Sequence, residues 1–243
     1  MDDEEQNQEK LSISKEDDEE KPKPKETPQE EMAFKATRNN LQLPRRLFHL
    51  TNGTIIATLY LFYIEHSVAV HIIGIGVCLF YIFEQLRIKY PEYADSFSKV
   101  SSYFYRAEEQ LKESAMIPYA MGLLLTILSF PKIIAVVAIY TLAISDPLSA
   151  IIGIKYGKHP IAENKSMEGS LAFFFSTLLC TFLPFMFTTS LPLGKNLMFS
   201  SILATLLTSF ELVPSRIDDN LTIPLVTAVL GWVVASLWNI PLS

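Results

Sequence analysis

The 243-residue chain has only two cysteines, Cys78 and Cys180, and both lie inside apolar runs where a free thiol behaves as a small hydrophobe. A disulfide is therefore not expected. The spacing of cysteine and histidine matches no zinc site, and neither a Walker A pattern nor a glycine-rich kinase loop occurs, which excludes the familiar soluble ATP sites. Residues 1–40 have almost nothing apolar to bury and cannot offset the entropy of becoming ordered. They hold 13 Asp and Glu against 7 Lys and Arg, so the net charge of -6 resides there and residues 41–243 balance at 13 against 13. No apolar core of a secretory signal opens the chain, so no cleavage is expected.

What the chain does have is long apolar sequence: 49% of residues are hydrophobic and the mean hydropathy is +0.26. A spanning helix needs about 20 mainly apolar residues. Seven stretches qualify or nearly so, at 47–64, 68–83, 116–130, 133–152, 171–187, 197–210 and 221–240. The second, third and sixth are short and must recruit flanking residues. Seven buried helices of a soluble protein would need amphipathic partners to cover them, and the chain has too few. The expected architecture is all-α: a disordered acidic tail over 1–40, then a polytopic transmembrane bundle of about seven helices over 41–243.

Basic residues beside spans are retained in the cytoplasm. With the N-terminus inside, thirteen of the flanking Lys and Arg face that compartment, and only Lys132 and Lys195 face out. In the longest loop Tyr93, Phe97, Val100, Phe104, Ala107 and Leu111 recur at helical spacing, as in a helix lying in the membrane interface or packed on the bundle. Under this orientation the unusual charges gather at one face. Arg45, Arg46 and His49 open the first span, Glu84 and Arg87 close the second, and Asp146 lies in the inner third of the fourth. Glu211 closes the sixth, and Asp219 with Asn220 opens the seventh. Ionisable groups at such depth mark functional sites.

The richest stretch runs from Asp146 to Ser170. Asp146, Ala150, Gly153 and Gly157 share one helical face, a carboxylate beside small residues that admit close approach. Lys155, Lys158 and Lys165 follow, with Ser166, Glu168, Gly169 and Ser170, groups that bind phosphate through ammonium charge and exposed N–H donors. Ser166 or Ser170 equally suits the cap of the next helix. A phosphoryl donor requires a divalent cation, and Mg²⁺ takes one or two carboxylates plus substrate phosphates. Asp146 and Asp219 are the leading ligands, with Asn220, Glu211 and Asp218 as neighbours. Arg45 and Arg46 suit phosphate or an anionic headgroup.

At these residues the sequence resembles the CTP-dependent lipid kinases, the dolichol (polyprenol), phytol and diacylglycerol kinase family, which is related to the phosphatidate cytidylyltransferases. The resemblance runs from about Leu43 to the C-terminus. It is carried by Pro44-Arg45-Arg46-Leu47-Phe48-His49, by Glu84 to Arg87, by Ser145-Asp146-Pro147 with Ala150, Gly153, Tyr156 and Gly157, by Asn164-Lys165-Ser166 with Glu168-Gly169-Ser170, and by Asp219-Asn220 with Pro224. It implies transfer of the γ-phosphate of CTP to a long-chain lipid hydroxyl at the cytoplasmic leaflet, giving a lipid phosphate and CDP. By position it makes Arg45 and Arg46 the family's basic pair, Asp146 its first acid, Gly153 the close-approach glycine, Lys165 to Gly169 the nucleotide loop, and Asp219-Asn220 the second acidic motif.

The nearest rival is a phosphatidate cytidylyltransferase, but the His-Gly-Gly segment before an Asp-Arg pair that closes that family is absent, and Asp218-Asp219-Asn220 stands there instead. A small transporter would place charges near the midplane or on both faces. A third rival is a membrane scaffold whose acidic tail binds a basic partner. The expected partners are CTP with Mg²⁺, a membrane lipid alcohol and the bilayer, with no nucleic acid. The host membrane is an endoplasmic reticulum or a bacterial inner membrane.

Overall fold

The computed structural model describes residues 43–90, 116–162, 165–213 and 217–242. The acidic segment 1–40 and the periodic loop stripe lie outside the described residues, as does the side chain of Arg45. Within them the chain forms seven helices: α1 (Leu43–Phe62), α2 (His66–Lys89), α3 (Met116–Ser129), α4 (Lys132–Tyr156), α5 (Met167–Thr188), α6 (Leu193–Glu211) and α7 (Asp219–Leu237). A small antiparallel ribbon, β1 (Pro160–Ala162) with β2 (Lys165–Ser166), joins α4 to α5. The all-helical expectation omits this ribbon, because strands of three and two residues carry no readable period.

Four helices, α2, α4, α5 and α7, are long and apolar enough to cross a bilayer, and α3 is apolar but 14 residues long. The more polar α6 satisfies its hydroxyls internally. Ser201, Thr205 and Ser209 donate to the carbonyls of Leu197, Ser201 and Thr205 at 2.7, 2.8 and 2.9 Å. The second span extends well beyond its expected end, so that Glu84 and Arg87 belong to α2 itself.

The bundle is organised around α4. In its most apolar stretch 72% of residues are buried, against 6% in α2, which lies at the periphery. All seven residues from Ile133 to Ile139 are buried, as befits a helix that is apolar on every side. One flank of α4 packs into a cluster with Phe173, Phe185, Phe199, Leu203 and Ala228 of α5, α6 and α7. The other packs with Ala57, Tyr60, Tyr119, Leu123 and Ile127 of α1 and α3.

Two prolines shape the polar end. Pro147 lies in the middle of α4, where a proline ring clashes with the carbonyl four residues back. The backbone relieves this by widening into a π-helical segment, Thr141–Ser145, immediately before Asp146. Cys180 of α5 lies over the widened turn, its thiol donating to the Tyr140 carbonyl at 3.7 Å and accepting from Ser145 Oγ at 4.0 Å. In α7, Pro224 has no N–H to offer the Asn220 carbonyl. That oxygen instead faces Gly122 of α3, where a Cβ would lie 2.5 Å from it. Gly53 of α1 similarly admits Ala143, whose Cβ would be 2.6 Å away.

Gly122→Ala is therefore expected to lower stability by about 1–3 kcal/mol, the cost of overpacking. Gly76, with nothing within 4 Å of a Cβ, is the contrast, and Gly76→Ala should gain about 0.5–1 kcal/mol from helix propensity. Unfolding of the detergent-solubilised variants should move in opposite directions.

Candidate functional site

Four of the charged residues singled out in the sequence line one pocket. Asp146 of α4, Lys165 of β2, Glu211 at the end of α6 and Asp219 at the start of α7 line it together with Phe210, Val213 and Ile223. The charges of Asp219, Arg46, Lys165 and Glu211 all bear on Asp146. Each residue arrives by a local cause. The proline-induced widening sets the phase of Asp146, and Asp218 caps α7 by accepting the Asn220 N–H at 2.9 Å, which fixes Asp219 in the first turn. Ser166 caps α5 by accepting the Gly169 N–H at 3.2 Å, which fixes Lys165 one residue before the cap. Two helix N-termini thus adjoin the pocket, each with outward N–H groups and a positive dipole end.

Lys165 Nζ forms an ion pair with Glu211 Oε1. The Glu211 side chain is only 6% exposed, and its Oε2 is buried without a hydrogen-bond partner among the described residues. Such an oxygen is unfavourable unless something else meets it. Among the described residues no three His, Cys, Asp or Glu gather closely enough to hold a metal ion alone. The donor set still fits Mg²⁺: carboxylates of Asp146, Glu211 and Asp219 line one pocket, one oxygen is unclaimed, and Mg²⁺ completes its shell with water and phosphate oxygens.

Other sequence candidates have different surroundings. Gly153 and Gly169 bring α4 and α5 into close contact, with a Cβ on Gly169 falling 2.9 Å from the Ser149 carbonyl and 3.1 Å from the Gly153 Cα. Gly157 ends α4 against Ser166. Ser170 is buried, and its Oγ has no hydrogen-bond partner among the described residues. His49 is buried against the Tyr119 ring, with centroids 4.6 Å apart. Glu84 is fully buried and takes a bidentate pair from Arg87 at 2.7 and 3.0 Å. Asn220 is buried beside Gly122. Lys155 and Lys158 are exposed, the former over the Tyr156 ring.

Two features escaped the sequence. The apolar wall of Phe210, Val213 and Ile223 carries no motif, since apolar residues are unremarked among apolar helices. His159 is the other. Its Nδ1 lies 2.7 Å from Glu168 Oε1 and its carbonyl accepts the Met167 N–H at 2.8 Å, so Glu168 pins the ribbon that carries Lys165. A nine-residue separation bridged by a ribbon leaves no periodic signal.

No family profile and no solved structure matches the chain. Curated proteins do. The chain is similar to CTP-dependent diacylglycerol kinase 1 of Schizosaccharomyces pombe, 24% identical over 205 residues that cover 79% of this chain and 93% of that protein. It is 27% identical to CTP-dependent diacylglycerol kinase 1 of Saccharomyces cerevisiae over 135 residues, 55% of this chain and 47% of that one. An uncharacterised protein of Methanocaldococcus jannaschii is 30% identical over 191 residues, 77% of this chain and 91% of its own length.

The ion pair generates a stability prediction. Lys165→Met leaves the Glu211 carboxylate buried without its countercharge and should cost about 1–3 kcal/mol, discounted for the partial exposure of Lys165. Adding Glu211→Gln in the same chain should recover more than half of the loss, as read from a double-mutant cycle of detergent unfolding.

Proposed function

We propose, because this chain belongs to the CTP-dependent lipid kinase family, that its pocket transfers the γ-phosphate of CTP to the hydroxyl of diacylglycerol, giving phosphatidate and CDP. The observation that carries the reading is the mixed lining of the pocket: three carboxylates and a lysine together with Phe210, Val213 and Ile223. A charged donor and an apolar acceptor need both kinds of lining. Diacylglycerol is favoured as acceptor because the named relatives are diacylglycerol kinases. Polyprenols and phytol share the required chemistry, an alcohol on a hydrocarbon chain.

In this reading Lys165 and Arg46 hold the phosphate chain, aided by the N-terminal amides of α5 and α7. Asp146 accepts the hydrogen bond of the lipid hydroxyl, orients its oxygen on the γ-phosphorus and takes its proton. The bond from γ-phosphorus to the bridging oxygen of CDP breaks as the new bond forms. Asp146 and Asp219 would hold Mg²⁺, with Glu211 as a neighbour able to join them on leaving Lys165, and the ion when bound would supply neutralisation of the phosphoryl oxygens. The apolar wall keeps water from competing as acceptor. Glu168, through His159, keeps the ribbon seated, and Gly153, Gly157 and Gly169 let the ribbon approach α4. The excess of Lys and Arg on one side supports a cytoplasm-facing site, where CTP is available.

Purified protein with Mg²⁺ is expected to move label from γ-labelled CTP into lipid, and poorly from ATP. Diacylglycerol, a polyprenol and phytol should be offered side by side; label from the α-position in lipid would identify cytidylyl transfer instead. Asp146→Asn should reduce turnover by at least about 100-fold while the protein remains inserted. An active Asp146→Asn enzyme would remove Asp146 from the chemistry.

A further inference from the structure

The Lys165–Glu211 pair poses a problem for any anionic ligand. The lysine ammonium that would receive a phosphate is already engaged by a carboxylate that is itself 6% exposed. A polyphosphate reaching Lys165 meets an ammonium, 35% exposed and with three N–H donors, whose charge Glu211 Oε1 already neutralises, while Glu211 Oε2 is buried without a hydrogen-bond partner among the described residues. Displacing Glu211 alone would leave it as a buried, uncompensated charge beside Asp146 and Asp219, facing the incoming anion across the same pocket. Breaking one side of a buried pair is strongly unfavourable. A divalent cation arriving with the phosphates removes the difficulty, because Glu211 then exchanges an ammonium for a metal ion and its free oxygen gains a partner.

We infer that Glu211 is a resident counter-ion that occupies Lys165 in the empty site, so that polyphosphate and divalent cation bind as a coupled pair instead of singly. The inference rests on the nucleotide reading of the pocket and adds the order of events within it. Glu211 thereby guards the site. Free nucleotide without its cation is rejected by competition for one lysine, and free cation meets a carboxylate already satisfied at one oxygen. The coupling is reciprocal, as any linkage between two ligands must be.

The test is a binding cycle on the full chain in detergent micelles, with CTP and with inorganic tripolyphosphate, each with and without Mg²⁺. In the unaltered protein Mg²⁺ should tighten both ligands at least about 10-fold, within the usual range of coupling between two sites. Glu211→Gln keeps the shape and removes the charge. It should tighten Mg²⁺-free binding by roughly 10-fold and shrink the Mg²⁺ effect to less than about 3-fold. Weaker binding of both ligands in both conditions would mean that Glu211 only positions Lys165, and would overturn the inference, as would an unchanged Mg²⁺ effect. If Glu211→Gln does not fold, by thermal unfolding, Glu211→Asn carries the same expectation. Tripolyphosphate that follows this pattern while CTP does not bind would sustain the exchange and refute the CTP kinase reading. Failure of the unaltered protein to bind either ligand would refute both.

Discussion

A helix buried on every side within a membrane bundle leaves its charged groups no solvent to retreat to, and the site depends on that constraint. Because α4 is enclosed by α1, α3, α5 and α7, the Asp146 carboxylate must be accommodated by what those neighbours bring. They bring Arg46 from α1, Lys165 from the ribbon ahead of α5, and further carboxylates from α6 and α7. Among the described residues, peripheral α2 lines none of the pocket, and its polar end carries the Glu84–Arg87 pair.

The packing that encloses α4 is of the kind membranes favour. Within lipid there is little hydrophobic gain in joining two apolar helices, so close backbone approach and satisfied polar groups carry more of the association. Gly53, Gly122, Gly153 and Gly169 supply the approach, each at a place where a side chain would meet a neighbouring helix. At the far end of α4, Lys132 donates to the Ile64 carbonyl at 2.9 Å and lies over the Tyr60 ring, anchoring the helix opposite the pocket. The central helix is thus held at both ends by charged groups and along its length by apolar ones.

Much of this was legible in the sequence because charge is conspicuous against apolar runs. Asp146, Lys165, Glu211 and Asp219 stand out for that reason, and the pocket unites them. Helix number followed from hydropathy, and residue type offered Ser166 or Ser170 as the cap of α5, of which the structure uses Ser166. The sequence could not reveal the partners. Glu84 and Arg87 read as members of the polar face, and the structure shows them occupied with each other. The glycines after Asp146 read as places of close approach, and the structure sets Gly153 against Gly169. Composition identifies a residue that permits close approach; only the fold identifies what approaches. The apolar wall and His159 were silent because neither departs from its surroundings in type or period.

The widened turn at Thr141–Ser145 has a consequence for how the two halves of α4 are phased. An extra residue in one turn rotates everything beyond it by about 100° relative to an uninterrupted helix. The apolar half that packs between the two clusters and the half that bears Asp146 are therefore out of register by design of the backbone, and the proline at 147 keeps them so. A one-residue deletion in that turn would restore a regular ladder on the N-terminal side and swing the carboxylate away from Lys165 and Asp219. The length of this turn, more than the identity of its side chains, is what aims the acid.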